Sequence, residues 1–302
     1  MNIEDARITL RPRTAAEVFD LALLVTTQGM AGVCARLGLL VLAPMAAVGL
    51  FLRYGAEATW MTVMLATWLY ASWAQGLFTI AAGRWLLSTE RPTVRSVLRA
   101  ARGQGWRWLG TWLRSRLRYT PIILWAIWAA GTEPPFIGAR ADVEIVGPLI
   151  FVGLFAAMLV LPAHHHTLFL NEAATLERAS ASTAVRRSRD FARALSSRSW
   201  SATLMLVAAW AALLGLTEGV MRFAVESVLQ TGFVAPSPFE AGGSPYLAIG
   251  MLVATPVLAV TRFLFYIDGR TRVDGWDVQV QFMARAAVYE RRARALGHEG
   301  VA

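Results

Sequence analysis

Three groups of residues in this 302-residue chain are of types that do chemistry when they are brought together. The first is the run His164, His165 and His166 in AHHHTLFLNE, followed by Glu172. Imidazole nitrogens ligate metals, but helical ligands recur at i, i+3 or i, i+4, whereas consecutive residues point about 100° apart. At most one or two of these histidines can share a site with Glu172, so they read as interfacial side chains, and no metal or other cofactor is expected. The second group is Glu218, Arg222 and Glu226 in TEGVMRFAVES, spaced at i, i+4, i+8. Ionisable residues at membrane depth are costly and are functional suspects. Glu preceding Arg at this spacing also neutralises itself, which makes a structural ladder. The alternative is a polar site with Glu218 and Arg222 lining a transport path. The third group is Tyr266, Asp268, Arg270, Arg272, Gly275 and Asp277 in FYIDGRTRVDGWDVQ. Arginine–carboxylate pairs hold geometry well, so this segment reads as a polar clamp or a partner-docking surface. Gly275 can supply a backbone conformation that other residues resist. Asp268 or Asp277 is expected to pair with the arginine-rich 84–118 segment.

No Walker A sequence, G-x-S-x-G, H-E-x-x-H or Rossmann fingerprint occurs in the chain, so no catalytic residue is assigned and the chain is not read as an enzyme. The lone Cys34 excludes an internal disulfide.

The elements that position these groups follow from composition. The chain is 56% hydrophobic and only 16% charged, with a mean hydropathy of +0.47. Soluble domains run nearer a quarter charged, so this is the composition of a membrane protein. Mostly apolar windows of spanning length fall near 32–53, 58–83, 109–131, 147–169, 201–224 and 246–267. The connections between them alternate in charge. Segment 84–118 carries nine arginines against one acid, segment 170–200 six against three, and the tail from Ile267 six against five. The turns near Gly55, at 132–146 and at 225–245 are poor in arginine. The positive-inside rule then expects both termini in the cytoplasm of a bacterial inner membrane.

RPTVRSVLRAARGQGWRWLGTWLRSRLRYTP, from Arg91, holds eight arginines and three tryptophans. Basic residues interleaved with aromatics also mark nucleic-acid grooves, but between two spans they read as a membrane surface, and no nucleic-acid partner is expected. Arg95, Arg99 and Arg102 share one helical face, with Val94, Val97, Leu98 and Ala101 opposite. Such a helix lies in the interface and meets anionic lipid headgroups. Arg107, Arg114 and Arg118 line up at the start of the third span, where they snorkel while the tryptophans form an aromatic belt.

A threefold pattern runs through the chain. RPRTAAEVFDLAL begins at Arg11, RPTVRSVLRAARG at Arg91 and STAVRRSRDFARAL at Ser182, with Thr14, Thr93 and Thr183 aligned. The expected fold is therefore all-α: one membrane domain over 1–302 with six transmembrane helices. They form three units of interfacial helix plus hairpin, over about 1–87, 88–170 and 171–268, with a cytoplasmic tail over 269–302.

The opening LRPRTAAEVFDLALLV, the arginine-serine loop AVRRSRDFARALSSRSW and the closing segment, with its Tyr266, Asp268, Arg270, Arg272, Gly275 and Asp277, resemble a family. It comprises bacterial proteins related to the glycerophosphoryl diester phosphodiesterase membrane domain. In the namesakes a separate soluble barrel is catalytic, and no stretch outside the expected spans is long enough to hold one. The resemblance thus implies the membrane fold and an assembly role, without the hydrolytic activity. The function expected is a non-catalytic scaffold or a subunit of an envelope complex. It would dock membrane or cytoplasmic proteins on its cytoplasmic face. The alternative is a transporter or lipid-handling protein.

Overall fold

The computed structural model describes residues 11–87, 91–116, 167–177, 179–238 and 243–275. Among these the chain is helical and no strand occurs, as the all-α expectation requires. Thr14 starts α1 (Ala15–Leu24) with a reciprocal cap. Its hydroxyl accepts from the Glu17 N–H at 3.2 Å, and the Glu17 carboxylate accepts from the Thr14 N–H at 2.7 Å. A π-helical turn, Val25–Gly29, leads into α2 (Ala31–Leu37), and a second, Gly38–Leu42, leads into α3 (Ala43–Tyr54). The second widened turn has a local cause in Pro44, which offers no N–H and whose ring crowds the preceding turn. Tyr70 donates its hydroxyl to the Val41 carbonyl in that turn at 2.6 Å.

The following elements are α4 (Trp60–Leu87), α5 (Val94–Arg102), α6 (Gly105–Arg116), α7 (Leu170–Thr175), α8 (Ala181–Ala194), α9 (Ser196–Arg222) and α10 (Pro245–Asp274). Helix α9 is prolonged by a π-helical turn to Val228. Helix α10 is the centre of the bundle: α9 and α4 pack along it and α1 crosses it. Its apolar stretch is 67% buried, against 17% for that of α9. Helix α9 therefore points Leu204, Val207, Leu216, Val220 and Phe223 outward, while Leu39, Leu40 and Phe51 do the same on α2–α3. So much continuous apolar surface is unstable in water and suits hydrocarbon, where helices satisfy their own backbone.

Three helices among the described residues are long and apolar enough to cross a membrane: Ala31–Tyr54, Ser196–Val228 and Pro245–Val273. The sequence expects six. Window 58–83 is α4, long enough at 28 residues, but its four tryptophans, Tyr70 and Gln75 lower its hydropathy. Window 109–131 is described only as far as Arg116 and window 147–169 only from Thr167, and His164, His165, His166, Arg118 and Asp277 lie outside the described residues.

The threefold pattern has a local basis. Thr93 caps α5 through Ser96 as Thr14 caps α1 through Glu17. In the third segment the cap is Ser180, which accepts from the Thr183 N–H at 3.4 Å. The alignment on Thr183 was thus three residues late, because Thr183 occupies the third helical position instead of the cap. The aromatic-belt expectation also needs correction. Trp106 is 88% exposed, but Trp108 stacks on Trp73 at 4.8 Å and Trp112 donates to the Ser72 hydroxyl at 3.0 Å. Trp108 fits because Gly76 lies beneath it, where a Cβ would come within 2.4 Å of the indole.

Candidate functional site

Charged residues from distant parts of the chain meet at the C-terminal end of α10. Asp268 is buried, and its carboxylate is held by three segments. The Arg13 N–H donates to Oδ1 at 2.7 Å, Arg272 Nε donates to Oδ2 at 3.0 Å, and Arg198 Nε lies 3.7 Å from Oδ2. Arg272 also donates to the Arg13 carbonyl at 3.0 Å. The α1 lead-in, the start of α9 and the end of α10 are thereby tied through one carboxylate. Of the two acids expected to pair with segment 84–118, Asp268 instead has Arg13, Arg198 and Arg272 as its partners among the described residues, and Asp277 lies outside them. Gly275 ends α10 in the left-handed region, φ 62° and ψ 37°, the conformation anticipated for it.

One turn around α10, Tyr266 and Arg270 face a second carboxylate, Glu177, just beyond α7. The Tyr266 hydroxyl donates to Glu177 Oε1, Arg270 Nη1 lies 3.3 Å from the same oxygen, and Arg187 of α8 donates to Oε2. Phe169, Phe191 and Tyr266 form an aromatic wall beside them, with ring centroids 5.3 to 6.1 Å apart. These groups line a pocket of about 390 Å³.

Deeper in the bundle, Arg262 of α10 is buried with Glu172 of α7, beside the half-buried Gln75 of α4. Its Nε and Nη2 donate to the Leu168 carbonyl at 3.1 and 2.6 Å, and Nη1 donates to Gln75 Oε1 at 2.9 Å. Glu172 is 0% exposed. Among the described residues neither of its oxygens accepts a hydrogen bond, and Arg262 Nη2 lies 3.6 Å away. Burial pushes the Glu172 carboxyl above the usual carboxylate range, and the Arg262 charge offsets part of that rise.

At the opposite end of α10 the Glu218–Arg222–Glu226 ladder forms as the spacing expects. Arg222 is 2.8 Å from Glu218 and 3.0 Å from Glu226. It also donates to the Ala235 and Pro236 carbonyls, both at 3.1 Å. The Ser244 cap of α10 donates to Glu218, and the Ala235 N–H donates to Glu226 at 3.1 Å. These contacts fasten the 229–238 loop to α9 and to the start of α10. Arg95, Arg99 and Arg102 are exposed on α5, with Val97 and Ala101 buried beneath them, and Arg114 is exposed on α6. Arg107 belongs to α6, and its side chain lies outside the described set.

Sequence reasoning missed Arg13, Glu177, Arg187, Arg198 and Arg262 as site residues. For Arg262 a signal existed: it is a single cation inside an otherwise apolar window, a placement that needs a partner. The others are ordinary surface charges until the fold joins them. Compared with protein-family models, with curated proteins and with solved structures, the chain finds no match.

Proposed function

We propose that the protein is a six-span inner-membrane scaffold, or one subunit of an envelope complex, with both termini cytoplasmic. It works without catalysis and docks a membrane or cytoplasmic partner at the charged end of α10. The observation that carries this reading is the Asp268 junction, where the opening segment, the arginine-serine loop and the closing segment share one buried carboxylate. These three segments carry the resemblance to the phosphodiesterase membrane-domain family, and relatedness to that family is part of the proposal. A junction whose acid is fully engaged holds a surface rigid, and rigid surfaces bind with little ordering cost. Purification from mild detergent, with identification of co-purifying proteins, tests it. A stoichiometric partner that is lost in Asp268→Ala, while the variant stays folded, is the expected result. A chain that purifies alone counts against it.

A transport or lipid-handling role is the second reading. It is favoured by the buried Arg262–Glu172–Gln75 group more than by Glu218 and Arg222, whose polar atoms are engaged in fastening the loop.

A further inference from the structure

The pocket beside Tyr266 has features that the scaffold reading does not use. Its polar lining is two cations, Arg187 and Arg270, two acids, Glu177 and Asp190, and the hydroxyls of Tyr266 and Ser188. The cations and the Tyr266 hydroxyl converge from α8 and α10 on the two oxygens of Glu177. Three donors on one two-oxygen acceptor form an anion site, filled here by the chain's own carboxylate. The two unesterified oxygens of a phosphodiester present the same acceptor geometry, and arginine is well suited to them. Asp190 lines the same space and makes no ion pair among the described residues. It offers an uncompensated negative charge to a ligand cation. The wall of Phe169, Phe191 and Tyr266 suits the apolar part of an amphiphile.

Depth decides what kind of ligand reaches it. At 1.5 Å per residue, Tyr266 and Arg270 stand about 31 and about 37 Å from the first residue of α10, against a hydrocarbon core of about 30 Å. The pocket therefore opens at headgroup level if α10 spans the membrane. Its volume of about 390 Å³ accommodates a headgroup, with the acyl chains left outside along the exposed apolar faces.

We infer that this pocket binds the headgroup of a zwitterionic phospholipid carrying a phosphodiester and a primary amine. Arg187, Arg270 and Tyr266 take the phosphate, Asp190 takes the amine, and Glu177 is the internal acid that the phosphate displaces. A purely anionic headgroup would leave Asp190 without a cation and set it near a second negative charge. The inference rests on the membrane reading of α10 and is independent of any protein partner.

Native mass spectrometry of the full chain in detergent, titrated with phosphatidylethanolamine or phosphatidylglycerol, tests it. Phosphatidylethanolamine should be retained in preference. Arg270→Gln should weaken its binding about tenfold, the scale of one lost charge-assisted contact. Glu177→Gln should strengthen it. Asp190→Asn, at an exposed residue with no ion pair to lose, should fold normally and erase the preference between the two lipids. Equal binding of both lipids by wild type, or an unchanged preference in Asp190→Asn, overturns the inference. Free phosphoethanolamine competing as well as the lipid also overturns it, since the site would then serve a soluble ligand. Should Arg270→Gln fail to fold, the Glu177 and Asp190 variants decide the matter alone.

Discussion

Glu172 is closed off from solvent and, among the described residues, meets no hydrogen-bond donor, with the Arg262 guanidinium 3.6 Å away and turned to the Leu168 carbonyl and Gln75. Its folded-state pKa is raised, so the folded chain holds this proton more tightly than the unfolded chain does. Its contribution to stability is thus full at and below the ordinary glutamate range and is lost as pH rises through the raised value. The melting temperature in detergent should therefore fall as pH rises above the ordinary glutamate range, and Glu172→Gln should flatten that slope; equal slopes in the two proteins would count against the assignment. Asp268 obeys different arithmetic. The Arg198 and Arg272 side chains are 29% and 33% exposed, so removing the acid strands the buried Arg198 Nε and Nη2 but leaves part of each guanidinium in solvent. Asp268→Ala should cost about 1–3 kcal/mol, less than a fully buried pair would, measured as a lower melting temperature with the helical signal retained. Gly275 was legible because a glycine after a charged helix end has a local meaning. Glu172 was not, since nothing near it in sequence reveals that α4, α6 and α8 will pack on α7 or that Arg262 of α10 will reach it.

At the scale of elements, the capped amphipathic helices were the most legible part of the fold. Thr14 and Thr93 announce helix starts by chemistry confined to four residues, and the arginine stripe of α5 follows from helical period alone. The fate of Trp108 was hidden, because an interfacial and an interior tryptophan look alike until Gly76 is seen beneath it. Helix α5 has its own test. Wild type should gain thermal stability when moved from neutral to phosphatidylglycerol-rich nanodiscs at low salt, through arginines each worth on the order of 1 kcal/mol at an anionic surface. Arg95, Arg99 and Arg102 changed together to Glu should abolish that gain. Tight, salt-sensitive RNA or DNA binding, lost in the same variant, would instead assign the stripe to nucleic acid.

Over the whole molecule, the alternation of charged and apolar segments predicts topology directly. Reporter fusions after Arg102, Arg193 and Arg294 should read cytoplasmic, and fusions near Arg140 and Gly242 periplasmic. A cytoplasmic signal from either of the last two breaks the six-span arrangement. Hydropathy marked α9 and α10 as long and apolar enough to cross a membrane, but did not reveal that α10 would be wrapped by the others while α9 faces outward; both are apolar, and burial is decided by partners far along the chain. The central position of α10 also sets an order of events during synthesis. Of the described helices it is the last to leave the ribosome, yet α1, α4 and α9 all rest on it. In the proposed topology α4 and α9 can enter the bilayer alone, since a helix satisfies its own backbone there, while the ten-residue α1 stays at its surface, but the three have no common surface to close on until α10 arrives. Until then the Gln75 amide waits without Arg262, and the Arg13 segment has no carboxylate to join. Maturation is therefore a single late step. A nascent chain arrested before Pro245 should be inserted but sensitive to protease, and release of the final helix should make it resistant throughout.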